Sequence, residues 1–155
     1  MRIRKATKKD AEQVAKLYMQ FWKVHKNKNI LHQPAWEINP KNVLKDSKEM
    51  IRSKDYLLYL AEENGEIAGF ILFTIKTQDS WYGVRRYGLI EELAVDEKHR
   101  RKGIASKLVN YAQNYFRKKN CKYATIKAEI GLPALKAWES CGFKQKTVEL
   151  VKKLR

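Results

Sequence analysis

The sequence predicts an α+β protein: one mixed antiparallel and parallel sheet with helices on both faces. Three observations predict it. Segments with apolar residues at helical spacing alternate with apolar, β-branched segments in the order β, α, α, β, β, β, α, β, α, β. Asn64-Gly65 joins two of the strands, and that dipeptide is the strongest short signal for an antiparallel hairpin. The strand ending at Val95, the helix after it and the strand that opens at Tyr123 form a β-α-β unit, whose two strands are expected to run parallel.

Taken in order, Arg2 to Ala6 is a first strand. Thr7 to Asp10 has the form of a capping box. Ala11, Val14, Leu17, Tyr18 and Phe21 then recur at helical spacing, so Lys8 to about Lys26 is an amphipathic helix. Tyr18, Phe21 and Trp22 read as core residues, with contact to a ligand as the alternative. Asn27 to Asn39 has no period and carries Pro34, which marks a loop. Asn39-Pro40 places proline at the first position of a second helix, and Val43, Leu44, Ser47, Met50 and Ile51 mark its face as far as Lys54. Tyr56 to Glu62 and Glu66 to Thr77 are the hairpin strands. Gln78 to Arg86 is a polar connection bearing Trp81 and Tyr82, and it leads to the strand Tyr87 to Val95.

Asp96 to His99 is a short charged turn, after which Arg100 to Ala105 reads as the first turn of a helix reaching Lys119. Ile104, Leu108, Val109, Ala112 and Phe116 share its inward face, and Asn120 stops it. Tyr123 to Ala128 is a strand. Pro133 to Ser140 is a short helix ended by Gly142 as a left-handed cap. Phe143 to Val151 is a last strand, and Lys152, Lys153 and Arg155 form a solvated tail. With no repeat, low-complexity tract or linker, residues 1–155 read as a single domain.

Composition excludes several classes. With 44% apolar and 32% charged residues, the chain reads as soluble and globular rather than disordered. No apolar run is long enough to cross a membrane, and Met1-Arg-Ile-Arg-Lys lacks the apolar core of a signal peptide. The expected location is therefore the cytoplasm. Cys121 and Cys141 have no metal-type spacing, and no His, Cys and carboxylate cluster suggests a metal. The net charge of +16 attracts anions and polyanions. Its lysines are scattered along the whole chain, which favours a solvated basic surface over a nucleic-acid interface.

The stretch Ile90 to Tyr111 carries the chemistry: an apolar-rich strand, a basic turn with Gly103, and a helix N-terminus. The first amides of a helix have no intrahelical partner, the dipole adds partial positive charge there, and phosphate fits such an end. Glycine lets a ligand approach the backbone. Cations at the positive end of a helix dipole serve no structural purpose there, so Arg100, Arg101 and Lys102 point to an anion. Neither a Walker loop nor a GxGxxG fingerprint is present. The pattern Arg100-x-x-Gly103-x-Ala105 resembles the acyl-CoA pyrophosphate loop of the GNAT acetyltransferase superfamily. The preceding Ile90-Glu-Glu-Leu-Ala-Val95 resembles that family's fourth strand. Ala134-Leu-Lys-Ala-Trp-Glu-Ser-Cys-Gly-Phe143 resembles its second CoA motif. The element order looks like that fold over nearly the whole chain.

The resemblance implies an acyl-CoA N-acyltransferase fold, acetyl-CoA as donor and an amine as acceptor. It implies that Leu93, Ala94 and Val95 meet the pantetheine arm, on a strand splayed from the next. Arg100, Arg101, Lys102, Gly103, Ile104, Ala105 and Ser106 would then hold the pyrophosphate, and Gly131, Ala134 and Trp138 would lie along the second motif. Two positions depart from the family pattern. Gly131 stands where an Asn is usual, removing an amide contact, and Trp138 stands where a Tyr often protonates the leaving thiolate. Indole is a donor only and is no acid. Trp138 reads equally as a core aromatic or as packing on the cofactor arm, and Tyr111, Tyr115 and Tyr123 follow no motif.

Acetyl transfer to an amine needs the neutral amine, and at pH 7 that costs a lysine-like group roughly 4 to 5 kcal/mol. A carboxylate can take the proton. Glu91 and Glu92 lie on the strand where the family often places one, and because adjacent strand residues face opposite sides, one of the two is expected to face the acceptor. Glu129, after the next strand, is a weaker candidate. His25, His32, Trp36, Trp81 and Tyr82 lie in segments that the family varies for acceptor recognition. The chain thus reads as an acetyl-CoA-dependent N-acetyltransferase working by direct attack in a ternary complex, since no activated Cys or Ser constellation is visible. The rivals are an acyl-CoA-binding module without turnover and a basic nucleic-acid-associated protein. A homodimer is implied by the resemblance alone.

Overall fold

The structure is a computed structural model that describes residues 1–25, 39–128, 132–147 and 152. Among these residues five strands form one sheet in the order β1-β2-β3-β4-β5: Arg2–Lys5, Leu57–Glu63, Glu66–Thr77, Arg86–Val95 and Ala124–Ile126. The first four pair antiparallel, and β5 pairs parallel with β4. Four α-helices accompany them: α1 Ala11–His25, α2 Pro40–Arg52, α3 Ile104–Lys118 and α4 Pro133–Ser140. The expected mixed sheet between two helical layers is what forms.

Local chemistry sets the ends. Asn64 (φ 53°) and Gly65 (φ 81°) both take left-handed backbone, the conformation a two-residue hairpin requires. The Asn39 side chain accepts the Lys41 N–H at 2.9 Å and caps α2. Gly142 (φ 87°) closes α4 and donates to the Glu139 carbonyl. A 3-10 turn, Lys8–Asp10, precedes α1, which begins three residues later than the periodicity alone suggests. There the Thr7 N–H and hydroxyl both donate to the Asp10 carboxylate, which also receives the Arg4 guanidinium at 2.8 and 2.9 Å. Arg4 makes a second ion pair with Glu62 on β2. These hydrogen bonds from the Arg4 guanidinium hold the Asp10 carboxyl down at about 2.

β3 is the axis of the molecule. Phe70 and Leu72 point into a core with Val14, Leu17 and Tyr18 of α1 and Val43 of α2. Ile71 and Phe73 point into a second core with Leu108, Val109, Ala112 and Phe116 of α3. A strand covered on both faces has no need of polar alternation, which is why Ile67 to Phe73 is a nearly continuous apolar run. Gly88 lets β4 approach α3, because a Cβ there would stand 2.3 Å from the Phe116 ring.

Two expectations need correction. Helix α3 starts at Ile104, not at Arg100: Arg101 (φ 62°) and Gly103 (φ 73°) are both left-handed, which a helical turn cannot contain. The strand expected from Phe143 is absent over residues 143–147, where the Phe143 N–H returns to the Trp138 carbonyl at 3.2 Å and its ring packs edge-on against Trp138. The rest of that segment, residues 148–151, lies outside the described residues, as does the loop expected over residues 27–38.

Candidate active site

The site begins where β4 loses its outer neighbour. β5 pairs with Gly88, Leu89 and Ile90 only, and among the described residues no strand continues that edge beyond Ile90. Glu91 to Val95 are therefore paired on the β3 side alone. The Asp96 N–H bonds to the Ala68 carbonyl on β3 at 2.9 Å. Counting back along an alternating strand, Ala94 turns its backbone polar groups to β3, while Leu93 and Val95 turn theirs to the open edge. That is the splay the resemblance implies. Leu93 presents its N–H and carbonyl and Val95 its N–H, the Val95 carbonyl being taken by Arg100, and Ala94 is buried against α1 and α2 and supports them.

A β-bulge sits at the boundary. Leu72 pairs with Glu92 but Phe73 pairs with Ile90, so Glu91 is an extra residue in the ladder. Without it Ile90, Glu92 and Ala94 would share one face. With it Ile90 joins the core under α3, and Glu92 joins Leu72 and Ala94 on the face of α1 and α2. The two glutamates are thereby separated. Glu91 stands 3.9 Å from Lys76 Nζ and is part-exposed. Glu92 lines a cavity of about 180 Å3 with Tyr18, Trp22, Val43, Asp46 and Met50. Its Oε2 is sealed from solvent and has no hydrogen-bond partner among the described residues. Burial without a compensating donor pushes the Glu92 carboxyl up to about 7.

The loop after β4 is rooted at three points. Asp96 Oδ1 accepts the Lys98 N–H, and Oδ2 accepts Gln20 Nε2 of α1 at 3.1 Å. His99 lies between Glu63 and Glu66 of the β2–β3 hairpin, at 3.4 and 3.6 Å. Arg100 folds back, its Nε on the Val95 carbonyl and its guanidinium 3.8 Å from Glu97. Asp96, His99 and Gln20 are positioning residues that sequence reading overlooked. Only Asp96, as an Asx turn, had a local signal.

The loop fits a diphosphate. The first α3 backbone bond is from the Lys107 N–H to the Gly103 carbonyl at 3.1 Å, so the amides of Ile104, Ala105 and Ser106 have no intrahelical acceptor. No atom comes within 4 Å of where a Gly103 Cβ would stand, leaving the approach clear. Arg101 and Lys102 are exposed and form no ion pair among the described residues. Ser106 is exposed beside them, and Ile104 is buried and anchors the helix start in the core.

The other expected residues fall as follows. Trp138 and Ala134 are half-buried, with Trp138 packed on Phe143 at the edge of the α3 core. Tyr111 and Tyr115 pack on Tyr59 and Phe73 of β2 and β3, away from the open edge. Tyr123 is exposed at the paired end of β4, where its carbonyl accepts the Gly88 N–H. None of these tyrosines reaches the opening. Trp81 and Tyr82 are exposed in the β3–β4 connection. Gly131, Glu129, His32 and Trp36 lie outside the described residues, as does the side chain of His25. A larger cleft, about 460 Å3, opens between Lys54, Asp55, Lys76 and Tyr115, and neither the loop nor Glu92 lines it. Among the described residues there is no cluster fit for a metal and no helix long and apolar enough to cross a membrane.

A helix start with unpaired amides beside a half-opened strand, with a half-buried carboxylate at the bulge between them, makes the candidate site of a mixed-sheet α+β protein. The profile of the Acetyltransferase (GNAT) family matches residues 11–143, and the chain belongs to that family. Its fold is shared by a tetramutant of the BH1408 protein of Bacillus halodurans, 18% identical, with TM-score 0.83 over 99% of this chain and 100% of that one. It is shared by a ribosomal-protein-alanine N-acetyltransferase of Brucella melitensis, 17% identical, with TM-score 0.75 over 99% and 100%. An aminoglycoside N-acetyltransferase, AAC(6')-Iy, in complex with CoA is 18% identical, with TM-score 0.76 over 99% and 94%. No curated protein matches the sequence. The last two folds act on different acceptors by their names, so the fold leaves the acceptor open.

Proposed function

We propose that this GNAT acetyltransferase moves acetyl from acetyl-CoA to a primary amine by direct attack, with Glu92 as the general base. The observation that carries the reading is Glu92 itself: a half-buried carboxylate at the bulge, where the strand opens, whose Oε2 is sealed from solvent and has no hydrogen-bond partner among the described residues. When bound, the donor supplies an activated acetyl thioester. The amides of Ile104, Ala105 and Ser106, with Arg101 and Lys102, bind its diphosphate. The N–H and carbonyl of Leu93 and the N–H of Val95 orient its amide arm. The incoming ammonium gives a proton to Glu92, the nitrogen bonds to the acetyl carbon, the carbon–sulfur bond breaks, and the second proton that the nitrogen sheds goes through solvent to the departing thiolate. A base at about 7 suits this task, since it is half-ionised at neutral pH and still basic enough to accept a proton. A CoA thiol has an acidity near that of cysteine, about 8.5, so it leaves without a dedicated acid, in keeping with Trp138 at the position where the family often has Tyr.

The test is CoA-thiol release with acetyl-CoA and a panel of amines and peptides. Release that follows an ionisation near pH 7, and that is lost in Glu92→Gln, supports the reading. Acetyl-CoA binding with no release across the whole panel overturns it and leaves a binding module.

A further inference from the structure

On the reading that Glu92 deprotonates an amine, we propose that the acceptor is a diamine or polyamine, whose second cation is received by Asp46 at the mouth of the Glu92 cavity. The chain carries a net charge of +16, yet both charged residues lining this cavity are carboxylates. No described Lys, Arg or His lines it. A basic protein with an acidic pocket selects against anionic acceptors and for cationic ones.

Asp46 lies three residues after Val43 and four before Met50, at the exposed border of the α2 face that packs on α1. Its neighbour Ser47 is buried and satisfied by the Val43 carbonyl at 2.7 Å, whereas Asp46 is exposed and forms no ion pair among the described residues. The two carboxylates differ in setting: Glu92 is sealed below, and Asp46 is hydrated at the rim. Trp22, half-buried, lines the same cavity and offers a ring that attracts ammonium groups, and Val43 and Met50 offer apolar surface for methylenes. Tyr18 stacks on Phe70 and its hydroxyl donates to Met50 Sδ at 3.1 Å, so it packs the cavity wall. A reacting amine, a methylene spacer and a second ammonium match this set of groups.

The experiment compares 1,4-diaminobutane, butylamine and 4-aminobutyrate as acceptors with the full chain and acetyl-CoA. These share a four-carbon reach and differ in the charge of the second group. The diamine should exceed butylamine in kcat/KM by about two- to fivefold through KM, the size of an exposed ion pair, and 4-aminobutyrate should be poorest. Asp46→Asn should bring the diamine-to-butylamine ratio towards one, and Asp46→Lys should raise 4-aminobutyrate above the diamine. An unchanged ratio in both variants, or butylamine equal to the diamine in the parent, overturns the assignment while the base role of Glu92 stands. No release with any amine overturns both.

Discussion

Two carboxylates in this protein are both removed from water, and they are treated in opposite ways. Asp10, at the start of α1, receives Arg4, the Thr7 hydroxyl and the Thr7 N–H, and its carboxyl sits at about 2. Glu92, at the β4 bulge, receives nothing among the described residues and sits at about 7. A satisfied carboxylate fixes a corner of the fold and favours its charged form. An unsatisfied one disfavours its charged form. On the proposed function, the difference separates a residue that holds the structure from one that takes a proton.

The largest expected effect breaks that comparison on the functional side. Glu92→Gln keeps the shape and removes the base, so acetyl transfer should fall at least about 100-fold, measured as kcat/KM by thiol release. The same variant should be more stable than the parent above pH 7. The folded carboxyl at about 7 lies above an ordinary 4.5, so the folded state binds the proton more tightly. Stability is then fully present below pH 4.5 and declines as pH rises to 7, by roughly 3 kcal/mol in all. Glu92→Gln should remove this decline, read as a flat denaturant midpoint between pH 5 and 8.

Asp10→Asn should act with the opposite sign. Its folded value of about 2 lies below an ordinary 3.8. Its contribution is present above pH 4 and lost as pH falls towards 2, and the variant should lose about 2 kcal/mol at pH 7. Its turnover, corrected for folded fraction, should be unchanged. If both variants shift stability in the same direction, the contrast fails.

The pyrophosphate loop extends the comparison to backbone groups. Gly103→Val adds a side chain in open space but at φ 73°, so it should fold with a modest loss and weaken CoA binding at least about tenfold, by calorimetry. Full retention of CoA affinity would remove the loop from the site. The smallest effect belongs to the neighbour of the base. Glu91→Gln breaks only a part-exposed contact with Lys76, and it should change stability by less than about 0.5 kcal/mol. Its activity should stay within a few-fold of the parent.

Much of this architecture was legible before any coordinates. The Asn64-Gly65 hairpin, α4 from Pro133 to Ser140 and its Gly142 cap are local: each rests on a backbone preference carried by the residues themselves. The parallel β4–β5 pair followed from the intervening helix. The helix start was misjudged at Arg100 because Arg101 takes a left-handed conformation that no arginine announces. The expected strand at Phe143 fails over residues 143–147 because Phe143 turns back onto Trp138 through a tertiary contact.

The sequence by itself determined the class of fold, the basic glycine turn and the presence of a glutamate pair on the strand before it, since spacing and composition carry those. It left Glu91 and Glu92 equivalent. Only the pairing of β4 with β3 decided between them. Side-chain direction in a strand has period two, and one inserted residue inverts it. The bulge at Glu91 gives Ile90 to one core and Glu92 to the other face. No property of the dipeptide alone encodes that choice, because it depends on which residues of β3 lie opposite.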